Sequence, residues 1–166
     1  MHAVSSETAL YQRLLALLDG HGARYRLLDH APEGRTEIVS GFRGHAPARA
    51  AKCVVLRVKV GRKTTRYVLA VVPGDARVDL EAVKRLYEAT YVGFADAATA
   101  ERLAGSASGT ILPFAFDSAL ELVADGGLFD GDEIFFNAAR LDRSVALSSD
   151  DYGALARPRL APIAKR

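Results

Sequence analysis

Three features of this sequence have residue types and spacing that could do chemistry. Lys52 stands directly before the Val-rich run CVVLRVKV. The stretch GSASGTILPF, residues 105–114, opens with six small residues and closes on Pro113 and Phe114. Glycine lacks the Cβ that would hold a ligand away, so such a loop can bring its amides close to one, or it can be a plain turn. Asn137 follows the apolar EIFF, and a polar residue beside a core strand needs a partner. It can tie down a neighbouring loop or contact a ligand. Asp125 precedes two glycines and reads as a turn aspartate. His30 ends a strand pattern just before Pro32, at a surface or at the rim of the core.

Much familiar chemistry is missing. There is no GxGxxG, and GSASGT lacks the lysine that a phosphate-binding loop needs after its second glycine. GxSxG is absent, which removes the nucleophile elbow of esterases. His2, His21, His30 and His45 show no HxH or HxxxH spacing, and the lone cysteine, Cys53, reads as a small core residue. No metal site and no cofactor are expected. An enzyme built from this chain would work by positioning and electrostatics on a bond that is already reactive.

Several elements must position these residues. SSETALYQRLLALLDGHG is a helix with Ser6 as N-cap, Leu10, Leu14, Leu17 and Leu18 at helical spacing, and Gly20 or Gly22 at its end. ARYRLLDH is a strand and RTEIVSGFRG a short helix. KCVVLRVKV and TRYVLAVV are strands joined by the hairpin turn GRKTT. DLEAVKRLYEAT is a helix capped by Asp79, YVGFA a strand, and DAATAERLAG a helix capped by Asp96 and stopped by Gly105. ALELVAD, EIFFNAA and RSVALSS are strands, and SDDYGALA is a final helix. Helices between strands, with one antiparallel pair at 52–72, predict an α/β or α+β domain with a mixed sheet, not a doubly wound parallel one.

The 166 residues fit a single domain, with no repeat or linker, and 49% hydrophobic residues supply a core. One cysteine excludes an internal disulfide framework. The opening residues do not read as a signal peptide, and no apolar run is long enough to span a bilayer, so a soluble cytoplasmic protein is expected. A net charge of +2 argues against long tracts of nucleic acid. Basic residues cluster in FRGHAPARAAK and GRKTTR, which could meet a phosphate backbone locally, and in RPRLAPIAKR, which reads as a solvated tail.

In order, AAKCVVLRV, RYVLAVVPGDARVDLEAVKRL, LAGSASGTILPF and EIFFNAARLDRSVAL resemble the YbaK family. This is also called the prolyl-tRNA-synthetase-associated or editing-insertion-like domain, and the pattern is most similar to its YeaK-type branch. The likeness spans roughly residues 10–155. Gly105, Gly109 and Pro113, each four residues after the last, carry it together with Lys52 and Asn137. Ala139 stands where the family usually has glycine.

The resemblance implies a single domain with a mixed, strongly curved sheet flanked by helices. It implies a trans-acting deacylase that hydrolyses the ester of a mischarged tRNA carrying serine, threonine or alanine. Lys52 would hold the terminal phosphate or polarise the ester carbonyl. The Gly105–Thr110 amides, Gly109 among them, would hold the oxyanion. Pro113 would fix the loop exit and Phe114 would wall the pocket. Asn137 would contact the substrate, Asp125 would pair with the aminoacyl ammonium, and His30 would border the pocket. Arg43, Arg49, Arg62 and Lys63 are candidates for holding the tRNA. The expected partner is the acceptor end of an aminoacyl-tRNA, with a synthetase as a further one, and neither membrane nor DNA. The competing reading is a non-catalytic module that binds a tRNA end or an amino acid.

Overall fold

The computed structural model describes residues 6–166, with side chains from Ala9 onward. The expected capping side chain of Ser6, and His2, lie outside this description. The first helix, α1 (Ser6–Gly20), buries Leu10, Tyr11, Leu14 and Leu18 along one face. Full burial of each Leu contributes about 1.5–3 kcal/mol. Gly22, with φ +62°, turns the chain into β1 (Tyr25–Asp29), and α2 (Thr36–Arg43) follows.

The centre of the molecule is the hairpin of β2 (Ala51–Val60) and β3 (Thr64–Pro73), paired from Ala51↔Pro73 to Val60↔Thr64. Its alternation sends Cys53 and Val55 to one face and Val54, Leu56 and Val58 to the other. After the short β4 (Arg77–Val78), Asp79 caps α3 (Leu80–Tyr87) by accepting from the Ala82 amide. Next come β5 (Tyr91–Phe94) and α4 (Ala97–Ala104), the latter capped by Asp96 and stopped by Gly105 at φ +71°. The chain then forms β6 (Leu120–Ala124), β7 (Glu133–Asn137), β8 (Arg143–Ser148) and α5 (Ser149–Ala156).

The strands divide among three sheets. The largest has the order β5-β2-β3-β6-β9, where β9 is Arg159–Leu160. It is mixed, as expected: β2 runs antiparallel to both β5 and β3, while β6 lies parallel to β3 and β9 parallel to β6. A second, antiparallel sheet, β1-β8-β7, meets it through one parallel bridge between Ala50 and Phe135. The third is a ribbon of β4 and β10 (Ala164–Lys165). One core cluster packs α1 and the second sheet against the Val55–Leu69–Val71 face. The other packs Val83 and Tyr87 of α3 against the Leu56–Val68–Ala70 face.

The C-terminal stretch is not the solvated tail its composition suggested. Ile163 is buried in the second cluster, and β9 and β10 each pair with a strand of the body. The Asp125 carboxylate fastens it, accepting from the amides of Ile163 at 3.0 Å and Ala164 at 3.1 Å.

Candidate active site

Where the head of β2 approaches α2 and the end of β7, the packing leaves a cavity of about 180 Å³. Ala51, Lys52 and Cys53 form one wall, Thr36, Val39 and Arg43 of α2 a second, and Phe136 and Asn137 of β7 a third. Gly34 and the loop residues Gly109 and Ile111 close it. Four residues singled out from sequence, Lys52, Gly109, Asn137 and Arg43, therefore meet in one place. Among the described residues, two cations line the cavity and no carboxylate does.

Arg43 is the departure with most consequence. Sequence placed it on a tRNA-facing surface, but its guanidinium turns into the site. Nε donates to Ser144 Oγ at 2.8 Å and Nη2 to Asn137 Oδ1 at 2.9 Å. No carboxylate among the described residues lies within ion-pair distance. Burial without a counterion pushes its pKa down to about 10, which still leaves it charged at neutral pH. A half-buried guanidinium with free donor capacity beside a cavity is a seat for an anion or a developing oxyanion.

Asn137 is the joint of the site. Its Nδ2 donates to the carbonyls of Glu33 at 2.8 Å and Gly109 at 3.0 Å. Its Oδ1 accepts from Arg43 and from Ser144 Oγ. With its hydrogen-bonding capacity used, Asn137 holds two loops and an arginine in register. It is a positioning residue.

The loop at 105–114 divides its labour. Gly109, at φ +88°, faces Gly34 so closely that a Cβ on Gly109 would stand 3.1 Å from the Gly34 Cα. Its carbonyl is held by Asn137, and its amide donates to no described protein group. Gly105 and Thr110 do not act as expected. The Gly105 amide donates to Glu101 O at 2.8 Å and the Thr110 amide to Ala107 O at 2.9 Å, so neither is free for an oxyanion. Gly105 stops a helix, and Thr110 is buried with its hydroxyl on Ser106 and on the Ala107 carbonyl. Pro113 and Phe114 also belong to the core. The Pro113 carbonyl accepts from Tyr152 Oη, and Phe114 meets Tyr152 and Phe136 edge-on. Ile111 supplies the wall that Phe114 was expected to form.

The remaining candidates lie away from the cavity. His30 reaches it only through Ser144, with Nε2 2.6 Å from Ser144 Oγ and Nδ1 donating to the Ala31 carbonyl. Asp125 caps the turn at Gly127 and fastens the C-terminal strands, so its oxygens serve backbone amides and not an ammonium. Arg49 packs over Gly131. Arg62 and Lys63 sit at the far tip of the hairpin, roughly 30 Å along the strand from Lys52 at about 3.3 Å per residue. Cys53 borders the cavity, but burial pushes its thiol far up, so it stays protonated.

Sequence reasoning missed Gly34, Thr36 and Gly74. Gly34 stands in a PEG turn signal, the one available hint. Gly74 packs behind the cavity wall, where a Cβ would meet Thr36 Cγ2 at 2.6 Å and Ala50 Cβ at 2.9 Å. Ala139, where the family usually has glycine, indeed adopts a positive φ of 60°.

The fold agrees with comparisons to known proteins. Residues 30–155 match the aminoacyl-tRNA editing domain, and the chain belongs to that family. It is 38% identical over 161 residues, 96% of either chain, to the multifunctional Ser/Thr-tRNA deacylase ProXp-y of Escherichia coli (strain K12). Two crystal structures share the fold at 19% identity. One is the hypothetical protein APE2540, with TM-score 0.82, covering 92% of this chain and 99% of its own. The other is a candidate trans-editing enzyme for prolyl-tRNA synthetase, with TM-score 0.79, covering 99% and 100%.

Proposed function

We propose that this protein hydrolyses, in trans and in the cytoplasm, the ester of mischarged tRNA carrying a small amino acid, serine or threonine foremost. The observation that carries this reading is the cavity of about 180 Å³ lined by Lys52, Arg43 and Gly109 and, among the described residues, by no carboxylate. Its size suits a small side chain, and its charge suits an oxygen that becomes negative. The likeness to a Ser/Thr-tRNA deacylase over nearly the whole chain supports the same substrate class.

An aminoacyl ester is already activated by its α-ammonium and the neighbouring ribose hydroxyl, so a site without a strong base suffices. Water adds to the carbonyl carbon and passes a proton to the vicinal ribose hydroxyl, which gives up its own proton to the esterified ribose oxygen. The bond from that carbon to the esterified ribose oxygen then breaks, leaving a free amino acid and an intact tRNA end. The Gly109 amide and Arg43 meet the charge on the carbonyl oxygen. One such donor is worth about 2.7–4 kcal/mol of barrier. Lys52 holds the terminal phosphate or polarises the carbonyl. Such an editor is needed because a synthetase pocket separates substrates differing by one methylene by only about 1–3 kcal/mol.

The test is deacylation of Ser-, Thr-, Ala-, Cys- and Pro-tRNA by wild type and Lys52→Ala. Release of one or two small amino acids, lost in a variant that melts like wild type, is expected. A rise in KM alone assigns Lys52 to the phosphate, and a fall in kcat assigns it to the carbonyl. No release from any substrate, with tRNA binding retained, would replace the hydrolase by the binding module. Faster turnover on adding a synthetase would identify that enzyme as the delivering partner.

A further inference from the structure

Lys52 borders a second hollow, larger than the first, at about 440 Å³. Its wall runs from Val54 and Phe94 on the central sheet to Arg77 and Lys165 on the ribbon of β4 and β10. Two features of this wall are unexplained by folding. Arg77 and Lys165 stand directly opposite one another across the antiparallel ribbon, a placement that like charges disfavour. Both are exposed, and neither has a carboxylate within ion-pair distance among the described residues. The nearby Arg166 takes Asp75, and Asp79 is occupied by the Ala82 amide, which leaves Glu81 as the other acid on the rim. The second feature is Phe94, 63% exposed at the end of the edge strand β5. Phe94 also lines a neighbouring hollow that shares Cys53 and Ile111 with the first cavity.

An open aromatic face beside unpaired cations is how proteins hold a single nucleic-acid strand, with a base stacking on the ring and phosphates meeting the cations. We propose that this hollow is the subsite for the unpaired 3′ strand of the tRNA. A base stacks on Phe94, and a backbone phosphate lies between Arg77 and Lys165, relieving their opposition. Lys52, shared by both hollows, marks where the strand passes its esterified end into the small cavity. The C-terminal strand β10, fastened by Asp125, is thereby part of the substrate-binding surface. The inference rests on the deacylase reading for the identity of the strand.

The experiment compares wild type, Phe94→Ala and the double variant Arg77→Ser/Lys165→Ser in deacylation of seryl-tRNA across a salt series. In parallel, each protein is titrated with uncharged tRNA carrying 2-aminopurine at its 3′ terminus. Both variants should raise KM roughly ten-fold, the effect of one lost stacked base or contact, with kcat held within about two-fold. The double variant should flatten the log–log salt dependence by about 0.7 for each phosphate released. Phe94→Ala should abolish the fluorescence quenching that stacking produces. The double variant should melt no lower than wild type, because a like-charge pair has been removed. Unchanged KM, salt slope and quenching in all three, with wild type active, overturn the subsite and leave the deacylase reading standing. If a synthetase then binds the double variant more weakly, the face is a protein-docking surface and the proposal is equally overturned. If wild type is inactive on every aminoacyl-tRNA, the deacylase reading falls, while the fluorescence titration still decides whether the strand lies on Phe94.

Discussion

Arg43 and Asn137, ninety-four residues apart in the chain, meet through a 2.9 Å hydrogen bond from Nη2 to Oδ1. That bond aims a guanidinium with no carboxylate partner among the described residues at the cavity beside Lys52. The same asparagine binds the Glu33 and Gly109 carbonyls, so one side chain sets the distance between the cation and the glycine loop. The site is a product of three segments that sequence separates widely.

Arg43→Met should lower deacylation by two orders of magnitude or more, in the range found for loss of an oxyanion donor, about 10²–10³. Its melting temperature should stay within a few degrees of wild type. Arg43 already bears the penalty of burial without a counterion, and an apolar side chain of similar size removes that penalty as it removes two hydrogen bonds. Arg43→Lys should restore little activity, since an ammonium cannot reach Ser144 and Asn137 together in the same plane. Rates at saturating and limiting tRNA, alongside thermal melts, check this.

Gly109→Ala should destabilise the protein by about 1–3 kcal/mol and inactivate it. At φ +88° an L side chain is strained, and its Cβ would press on the Gly34 backbone. Opposite this loop, Gly34→Ala should inactivate too, because its Cβ would stand 3.3 Å from the Gly109 Cα. Gly105→Ala meets no neighbour closer than 4.0 Å, so it should cost stability through its positive φ while leaving much of the activity. Denaturant unfolding with kcat measured on the folded fraction separates the three.

Stability should decline as pH falls from 7 towards 5, and His45 should be one cause. Its ring stacks on Phe135 with centroids 3.8 Å apart. Burial first, and the Arg43 charge second, hold its pKa below the usual histidine value, against an opposing hydrogen bond to the Ala46 carbonyl. The unfolded chain therefore takes up a proton before the folded one does. Between the two pKa values the unfolded state binds more protons, so stability rises with pH and is lost on acidification. In His45→Gln the slope of melting temperature against pH in this window should be shallower. An unaltered slope would remove His45 from the account.

Much of the fold was legible because it follows local rules. The β2–β3 hairpin, the Asp79 and Asp96 caps and the Gly105 stop each depend on a few adjacent residues, and each stands where the sequence put it. Lys52 and Gly109 were also legible as a pair, through the order of motifs along the chain. The loop GSASGTILPF was read as a single functional unit, and its composition could not reveal that Gly105 and Thr110 spend their amides inside the loop while Gly109 does not.

The sequence by itself determined the helices and the longer strands, the mixed sheet and the family, because hydrophobic period, caps and turn residues act over a few positions. Tertiary structure alone decided which polar groups are spent and which remain free. Asp125, a candidate ammonium partner from sequence, is consumed by three backbone amides, two of them from the C-terminal stretch. Arg43, a surface cation by composition, becomes a desolvated charge because Ser144 and Asn137 close around it. Hydrogen-bonding capacity and desolvation belong to neighbours brought together by packing, and those neighbours lie tens of residues away along the chain.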